Sequence, residues 1–249
     1  MTGKVIIVTG GASGIGLAIA RRLSAMGAQP VIADIDAGKR QDVLSAVPAS
    51  DFHVVDVADV PAVRAMVGEV ADRYGRIDGL IHCAGIVLKS RFLDTESDAF
   101  DRVMAINLRG TYFVGQAVAR VMARHGGGRI VNIGSVSGDV AFDTRAAYGS
   151  SKAAVHLLTK VMAAELAPHD IVVNAVAPGP VETPLVAAAH DQAYRDRVLR
   201  RIPSGRYADA DDIASVAVWL IMEASTYLTG QSIAVDGGFT STALPVERA

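Results

Sequence analysis

The chain has 249 residues, of which 51% are hydrophobic and 20% charged, and its formal net charge at pH 7 is −2. This composition excludes an intrinsically disordered chain, and so small a net charge provides no global field that would attract nucleic acid or an anionic membrane. The length suits one large α/β domain or two small ones. Because no linker rich in proline, serine or charge divides the sequence, we expect a single domain over residues 1–249.

The cysteine content and the first residues indicate the compartment. Cys83 is the only cysteine, which excludes an internal disulfide and is typical of a reducing environment. Residues 1–5 run directly into a strand-like segment, without the apolar stretch and cleavage site of a signal peptide. No run of 18 apolar residues could span a membrane. These features predict a cytoplasmic protein.

The first predicted strand leads into a glycine-rich loop and a helix. Residues 5–8 are apolar, residues 9–16 read Thr-Gly-Gly-Ala-Ser-Gly-Ile-Gly, and apolar residues then recur at helical spacing up to residue 27. Such a loop lets the backbone approach a pyrophosphate closely, and the helix N-terminus offers it unpaired N–H groups. A simple turn is the alternative, because the Gly-x3-Gly-x-Gly spacing is not the commoner dinucleotide pattern. The predicted cofactor contacts are Gly10, Ser13, Gly14, Ile15 and Gly16.

A second strand, residues 31–33, ends at Asp34, eighteen residues after Gly16. A carboxylate there can accept hydrogen bonds from both adenosine ribose hydroxyls, which favours NAD. It would repel the 2′-phosphate of NADP by about 4 kcal/mol at 4 Å and an effective dielectric constant of 20. Lys39 and Arg40 follow closely, so tolerance of NADP stays open. The alternative role for Asp34 is a solvated cap on the next helix.

The alternation of strands and helices continues along the chain. Strands are predicted at residues 52–55, 77–81 and 129–133, separated by helices at about 59–74 and 96–124. Such alternation predicts right-handed βαβ units and a parallel sheet covered on both faces. Ligands bind beyond the C-terminal strand ends of these sheets. Several polar or small residues fall at those ends: Asp56, Val57, Ala84, Gly85 and Ser135.

Tyr148 and Lys152 are four residues apart, so on a helix they share one face. A phenol with a pKa near 10 exchanges protons poorly at neutral pH unless its phenolate is stabilised. A buried ammonium one turn away would lower the pKa of Tyr148. Ser135, thirteen residues upstream, could hold the substrate oxygen. The pattern predicts proton transfer at an alcohol or carbonyl oxygen; an exposed helical pair is the alternative.

The remaining chain supplies two more strands and a possible interface. Residues 171–176 and 232–235 are the predicted sixth and seventh strands. The helix after Tyr148 is apolar on more than one side, which predicts burial against both the sheet and a neighbouring subunit. We expect residues 183–206 to be irregular and to carry an arginine cluster, which is either a solvated face or a patch for an acidic partner. The histidines have no metal-ligand spacing, so we expect no metal, and His156 is interpreted as a surface or cap residue.

These motifs together resemble the short-chain dehydrogenase/reductase family, and the likeness covers nearly the whole chain. The matching residues are Thr9-Gly10-x3-Gly14-x-Gly16, Asp56, Ala84-Gly85, Asn107, Ser135, Tyr148-x3-Lys152, Pro178-Gly179 and Thr183. The resemblance implies a Rossmann-type, doubly wound sheet of seven parallel strands in the order 3-2-1-4-5-6-7. It also implies NAD(P)-dependent interconversion of alcohols and carbonyl compounds.

The resemblance further implies roles for individual residues. Tyr148 would be the general acid/base, Ser135 would orient the substrate oxygen, and Lys152 would hold the nicotinamide ribose. Asn107 would bend its helix and anchor a water of a proton relay. Pro178, Gly179, Val181 and Thr183 would contact the nicotinamide end. The family's habit also implies a homo-oligomer, most simply a homotetramer. The chain departs from the family's Asn-Asn-Ala-Gly motif at His82-Cys83-Ala84-Gly85.

The substrate is less well determined. The predicted lining includes Ser137, Asp139 and Phe142, and a carboxylate at Asp139 favours a polyol, sugar or small hydroxy-ketone. The resemblance also implies that residues 183–206 fold over the substrate. A 3-oxoacyl thioester (acyl-carrier-protein) reductase is the competing enzyme, and its docking patch would be the five arginines of that segment: Arg195, Arg197, Arg200, Arg201 and Arg206. A non-catalytic NAD-binding sensor is the alternative of another class. An epimerase or dehydratase would require a larger substrate-binding extension.

Overall fold

The computed structural model describes residues 3–183, 191–222, 224 and 226–242. Seven strands form one sheet, all pairs are parallel, and the strand order is β3-β2-β1-β4-β5-β6-β7. This order confirms the predicted Rossmann-type sheet. The strands are β1 (Val5–Thr9), β2 (Gln29–Asp34), β3 (Asp51–Val54), β4 (Gly79–His82), β5 (Gly128–Ile133), β6 (Ile171–Pro178) and β7 (Ser232–Val235).

Helices cover both faces of the sheet. A six-residue π-helical segment, Ala105–Gly110, joins two of them without a loop. The α-helices are α1 (Gly14–Ala25), α2 (Arg40–Ala46), α3 (Val60–Tyr74), α4 (Ser97–Met104), α5 (Thr111–Met122), α6 (Ala146–Leu166), α7 (Gln192–Leu199) and α8 (Ala210–Met222). No helix in these described ranges is long and apolar enough to cross a bilayer.

The apolar strands belong to two cores, one on each face of the sheet. Successive side chains of β1 point to opposite faces, so Ile7 packs with helices α3 and α5 while Ile6 packs with α1 and α8. Burial of one such side chain is worth about 1.5–3 kcal/mol. Because both faces are covered, central strands such as β1 are buried along their whole length rather than alternating, as the sequence predicted.

Helix α3 shows how local sequence sets element boundaries. The Asp59 carboxylate accepts a hydrogen bond from the backbone N–H of Ala62 at 3.0 Å, which caps the first turn. Gly75 ends the helix at φ 70°, a left-handed conformation that only glycine adopts without strain. The predicted helix from Asp59 to Tyr74, ended by Gly75, is confirmed.

Two predicted segments differ from the structure. The single helix predicted over 96–124 is divided by the π-helical segment, whose wider turn leaves no sequence signal. Part of the stretch predicted as irregular, 183–206, is helical, because the Asp191 carboxylate accepts from the backbone N–H of Tyr194 and caps α7. Residues 184–190 of that stretch lie outside the described residues.

Candidate active site

A cleft of about 610 Å³ opens at the C-terminal ends of the central strands. Parallel strands direct their following loops to one edge of the sheet, which brings distant sequence motifs together there. Nearly all predicted cofactor and catalytic residues line this cleft: Gly10, Ser13, Gly14, Ile15, Asp34, Asp56, Val57, Ala84, Gly85, Ser135, Tyr148, Lys152, Pro178, Gly179, Val181 and Thr183.

The glycine loop is shaped for close backbone approach. A Cβ atom on Gly10, whose φ is 63°, would lie 2.9 Å from backbone atoms of Ala84. Gly16 does not line the cleft; it faces inward, where a Cβ would lie 2.2 Å from the Gly10 carbonyl oxygen. Ser13 begins α1 without a side-chain cap, so it leaves the first-turn N–H groups uncapped beside the cleft. This site fits a pyrophosphate.

Asp34 stands at the end of β2 and faces the cleft. Its carboxylate accepts hydrogen bonds from the backbone N–H groups of Ala12 at 2.9 Å and of Asp36 at 3.0 Å. These two bonds fix the carboxylate, and each oxygen keeps a further lone pair for a ribose hydroxyl. Lys39 also lines the cleft, with its ammonium 3.6 Å from the Asp36 carboxylate.

Ser135 and Tyr148 meet at the inner end of the cleft. The backbone N–H of Ser137 donates to the Ser135 hydroxyl oxygen at 3.1 Å, which fixes the serine side chain in place. Ser135 also hydrogen-bonds to the Tyr148 phenol, an interaction that lowers the pKa of Tyr148. Burial nevertheless has the larger effect and raises the pKa of Tyr148 above its ordinary value. The sequence predicted that Lys152 would lower the pKa of Tyr148 below its ordinary value, and this was wrong.

Lys152 is itself buried beside Tyr148. Its ammonium lies 5.8 Å from the centre of the Tyr148 ring and donates a hydrogen bond to the Ile133 carbonyl oxygen at 2.8 Å. Only 5% of the residue is exposed, and burial lowers the pKa of Lys152 to about 8. The cost of removing the ammonium from water favours its neutral form. The ammonium also lies near Gly85, where a Cβ would approach to 3.5 Å.

Asn107 lies in the π-helical segment and is fully buried rather than lining the cleft. Its amide oxygen accepts from the Ile86 N–H at 2.8 Å, and its amide nitrogen donates to the Ile86 carbonyl at 2.9 Å. The same nitrogen donates to the Ser151 hydroxyl at 3.0 Å, and Ser151 in turn donates to the Tyr148 carbonyl. Asn107 thus connects the helix break to the helix that carries Tyr148.

His82 and Cys83 stand where the family has two asparagines, and Thr9 of β1 connects to this segment through hydrogen bonds. The Thr9 hydroxyl oxygen accepts from the N–H groups of Cys83 and Ala84, both at 3.2 Å, and lies 3.0 Å from His82 Nδ1. Burial lowers the pKa of His82 to about 3, so the ring is neutral. Burial also raises the pKa of the Cys83 thiol to about 11, which argues against a nucleophile.

His156 was interpreted from the sequence as a surface or cap residue, and this was wrong. The ring is buried beneath the Ser135 loop, with Nδ1 3.0 Å from the Asp139 carboxylate. Asp139 therefore does not line the cleft, because its carboxylate turns to the histidine instead. Ser137 and Phe142 do line the cleft, as predicted. Sequence analysis missed other lining residues, which carry no motif: Ile86, Val87, Arg102, Arg145, Tyr194 and Val198.

The five arginines of the predicted cluster do not act as a single patch. Arg195 forms an ion pair with Glu182, and Arg206 pairs with Asp212 at 2.6 Å. Arg197 and Arg201 line a second cleft beside the first. Arg200 is exposed and lines neither of the two. Within the described parts of the chain no three histidine, cysteine or acidic side chains come together as a metal site.

Similarity to known proteins agrees with this geometry. A family model described as enoyl-(acyl carrier protein) reductase matches residues 10–240. The NAD-dependent glycerol dehydrogenase of Listeria innocua serovar 6a is 34% identical over 241 residues, which span 96% of this chain and 95% of that protein. The 3-oxoacyl-[acyl-carrier-protein] reductase FabG of Thermotoga maritima is 37% identical over 242 residues, or 96% and 98% of the two chains.

The fold is shared with a solved structure of comparable length. A gluconate 5-dehydrogenase from Burkholderia cenocepacia J2315, crystallised with NADP and tartrate, matches with a TM-score of 0.93. It is 39% identical, and the match covers 98% of this chain and 97% of that chain. The sheet order, the cleft residues and these relatives agree: the chain belongs to the short-chain dehydrogenase/reductase family and is an NAD(P)-dependent oxidoreductase acting on CH–OH groups.

Proposed function

We propose that this enzyme interconverts a secondary alcohol and a ketone, with Tyr148 as the group that moves the proton. The observation that carries the assignment is the meeting of Ser135, Tyr148 and Lys152 in the same cleft as the glycine loop. Bound NAD supplies the acceptor for the hydride, and NADH supplies its donor. A sensor that only bound the nucleotide would have no need for the three side chains together, so this alternative is disfavoured.

Each of these side chains has a separate role in the proposed reaction. Ser135 is held by the Ser137 N–H and offers its hydroxyl hydrogen to that oxygen. As a phenol, Tyr148 donates its proton to the substrate oxygen during reduction; as a phenolate, it takes up the alcohol proton during oxidation. Lys152 places a positive charge beside the phenol and can donate to a ribose hydroxyl. Asn107 acts through Ser151 and the Ile86 backbone, and so is a positioning residue.

For the cofactor we propose a preference for NAD over NADP. The Asp34 carboxylate is fixed in the cleft by two backbone N–H groups, so it cannot readily turn away from a 2′-phosphate. Lys39 is the basic residue of the cleft closest in sequence to Asp34, and it lies beside the Asp36 carboxylate, which reduces its pull on an anion. The Listeria relative is named an NAD-dependent enzyme, which supports the same preference.

For the substrate we propose a polyol, sugar or small hydroxy-ketone. The inner cleft combines the hydroxyls of Ser135 and Ser137 with the apolar side chains of Phe142 and Val181. The names of the glycerol and gluconate dehydrogenases support this class. The second candidate is a 3-oxoacyl thioester reductase, which the family description and the Thermotoga relative favour.

We also propose that the chain forms a homotetramer. Leu157 is 63% exposed and Val161 is 43% exposed on one face of α6, while Tyr112 on α5 is 47% exposed. Large apolar side chains on adjacent exposed helices are typical of a surface covered by another subunit. A second copy of this chain is the partner proposed.

The decisive experiment uses Tyr148→Phe, with Tyr227→Phe as the control because Tyr227 is 98% exposed. Each variant is assayed with a panel of polyols, sugars and 3-oxoacyl thioesters, with NAD and NADP in parallel. Tyr148→Phe should lower kcat by about 100- to 10,000-fold, the usual contribution of a positioned acid or base. NADH affinity, measured by fluorescence, should change less than twofold. Unchanged turnover in Tyr148→Phe would refute the assignment.

A further inference from the structure

A second cleft of about 730 Å³ opens next to the active-site cleft. The two clefts share the lining residues Phe142, Tyr194 and Val198, so they adjoin each other at the substrate end. No residue of the glycine loop lines the second cleft, which separates it from the cofactor phosphates. A substrate whose reacting carbon lies at Tyr148 could therefore extend into this space.

The second cleft is cationic. Its lining contains four basic side chains and two carboxylates: Lys89, Arg91, Arg197 and Arg201, with Asp94 and Asp143. Among the described residues, no carboxylate lies within 4 Å of the guanidinium of Arg197 or Arg201, whereas Arg195 and Arg206 both have acidic partners. The positive charge of Arg197 and Arg201 is thus not neutralised within this part of the chain.

Aromatic rings hold these cations in place. The Tyr194 ring lies 5.0 Å from the Lys89 ammonium and 5.4 Å from the Arg197 guanidinium. The Arg201 guanidinium lies 5.3 Å from the Phe239 ring, and Phe239 stacks on Phe142 at 5.4 Å between ring centres. Contact through the flat face of a guanidinium leaves its N–H groups free at the edge, where they can bind an anion in pairs.

We propose that the second cleft binds an anionic group, a carboxylate or a phosphate, carried by the substrate at the end remote from the reacting carbon. This inference rests on the proposed function and specifies the class of substrate as an acidic hydroxy compound. The concave shape and the position beside the active site favour an anion on a small molecule over a docked protein. Ordered cations lower the entropy lost when that anion binds.

The test compares acids with their neutral esters. The substrates are straight-chain hydroxy acids of four to eight carbons with the hydroxyl on the penultimate carbon, and their methyl esters. In the wild-type enzyme at least one acid should exceed its ester in kcat/KM by about tenfold or more. In the Arg197→Gln/Arg201→Gln variant this ratio should fall toward 1, a loss of about tenfold or more. Arg200→Gln, on the same helix end but outside both clefts, should leave it within twofold.

The outcomes distinguish the inference from the function on which it rests. Turnover without preference for any acid, or an equal loss in Arg200→Gln, would overturn the anion site while leaving the oxidoreductase assignment intact. Selective loss of activity on an acyl-carrier-protein thioester would also overturn it, in favour of a protein partner. If no alcohol is oxidised, calorimetry with inorganic phosphate on the NADH-saturated protein tests the anion site directly. The affinity for phosphate must be lower in the Arg197→Gln/Arg201→Gln variant and unchanged in Arg200→Gln.

Discussion

The buried imidazole of His156 accepts, through Nε2, a hydrogen bond of 3.4 Å from the backbone N–H of Ser135. Because Nε2 accepts, the proton of the neutral ring is on Nδ1, which donates to the Asp139 carboxylate at 3.0 Å. A Cβ on Gly134 would lie 2.2 Å from Nε2, so only glycine allows the ring to approach this closely. The backbone of Ser135, a lining residue of the cleft, is thus supported from beneath by a histidine.

His156→Leu should lower kcat about tenfold with little change in NADH affinity. The Ser135 N–H loses its acceptor, and a small displacement of a positioned hydroxyl is costly for rate. His156→Gln, whose amide oxygen can accept, should recover part of kcat, and Asp139→Asn should cost less than His156→Leu. Steady-state kinetics with NADH titration make the comparison. A purely structural role would lower thermal stability but leave kcat per folded enzyme unchanged.

Asp34→Asn should weaken discrimination against NADP. Removing the carboxylate charge removes a repulsion of about 4 kcal/mol at 4 Å and an effective dielectric constant of 20, of which solvent screening leaves a part. We expect kcat/KM with NADP to rise at least about tenfold, while kcat/KM with NAD falls. Asp42→Asn, an exposed site on α2, serves as the control. An unchanged NAD to NADP ratio in Asp34→Asn would contradict the role of this residue.

The buried lysine should make stability depend on alkaline pH. The pKa of Lys152 is about 8 in the folded protein against 10.5 for a lysine side chain in water. Between these values the unfolded chain holds more protons than the folded one, so the wild-type free energy of unfolding rises with pH across that window. Relative to Lys152→Met, the rise should approach about 3 kcal/mol. Denaturant titrations from pH 7.5 to 10.5 measure it; Lys160→Met, on the same helix but exposed, should behave like wild type.

The neutral histidine of β4 should make the protein sensitive to acid. The pKa of His82 is about 3 in the folded protein and 6.5 for a histidine side chain in water. Only the unfolded chain takes up this proton between those values, so stability is present above pH 6.5 and is lost as pH falls. Between pH 7 and pH 5 the free energy of unfolding should fall by roughly 2 kcal/mol less in His82→Asn than in the wild type. His125→Asn, at an exposed site, is the comparison, and equal acid slopes for all three proteins would contradict the prediction.

Leu157→Glu should dissociate the proposed tetramer into smaller species. A carboxylate placed at the centre of an apolar interface would have to lose its water without a partner. Analytical ultracentrifugation at micromolar concentration compares the variant with wild type and with Met26→Glu, an exposed apolar site at the end of α1. A wild-type protein that sediments as a monomer would exclude the tetramer.

The sequence was sufficient for the sheet and the cofactor side of the cleft because those signals are local. Apolar β-branched runs mark the strands, and the glycine loop and Asp34 follow directly at their ends, where the structure places them in the cleft. The parallel topology then forces their loops to one edge, so no long-range information was needed. The Tyr148 and Lys152 spacing carried the catalytic prediction in the same way.

The features that escaped prediction depend on contacts between distant segments. His156 lies twenty-one residues from Ser135, and nothing in its helix distinguishes a buried histidine from a surface one. The second cleft combines residues near 90, 142 and 197 with Phe239, which no local pattern connects. The balance that raises the pKa of Tyr148 depends on burial, which a sequence spacing does not report.

The π-helical segment between α4 and α5 has a consequence for how this chain can change. A π-helical turn holds one residue more than an α-helical turn, and Ala105–Gly110 form such a wider turn. Losing one residue there would let the turn close to ordinary α-helical geometry, so Val114, Val118 and Met122 would stay packed on the sheet. The same loss inside α5 would rotate the residues beyond it by about 100° and draw them away from the sheet. Along these joined helices, a one-residue deletion is therefore tolerated best within the π-helical segment, provided that Asn107 is kept.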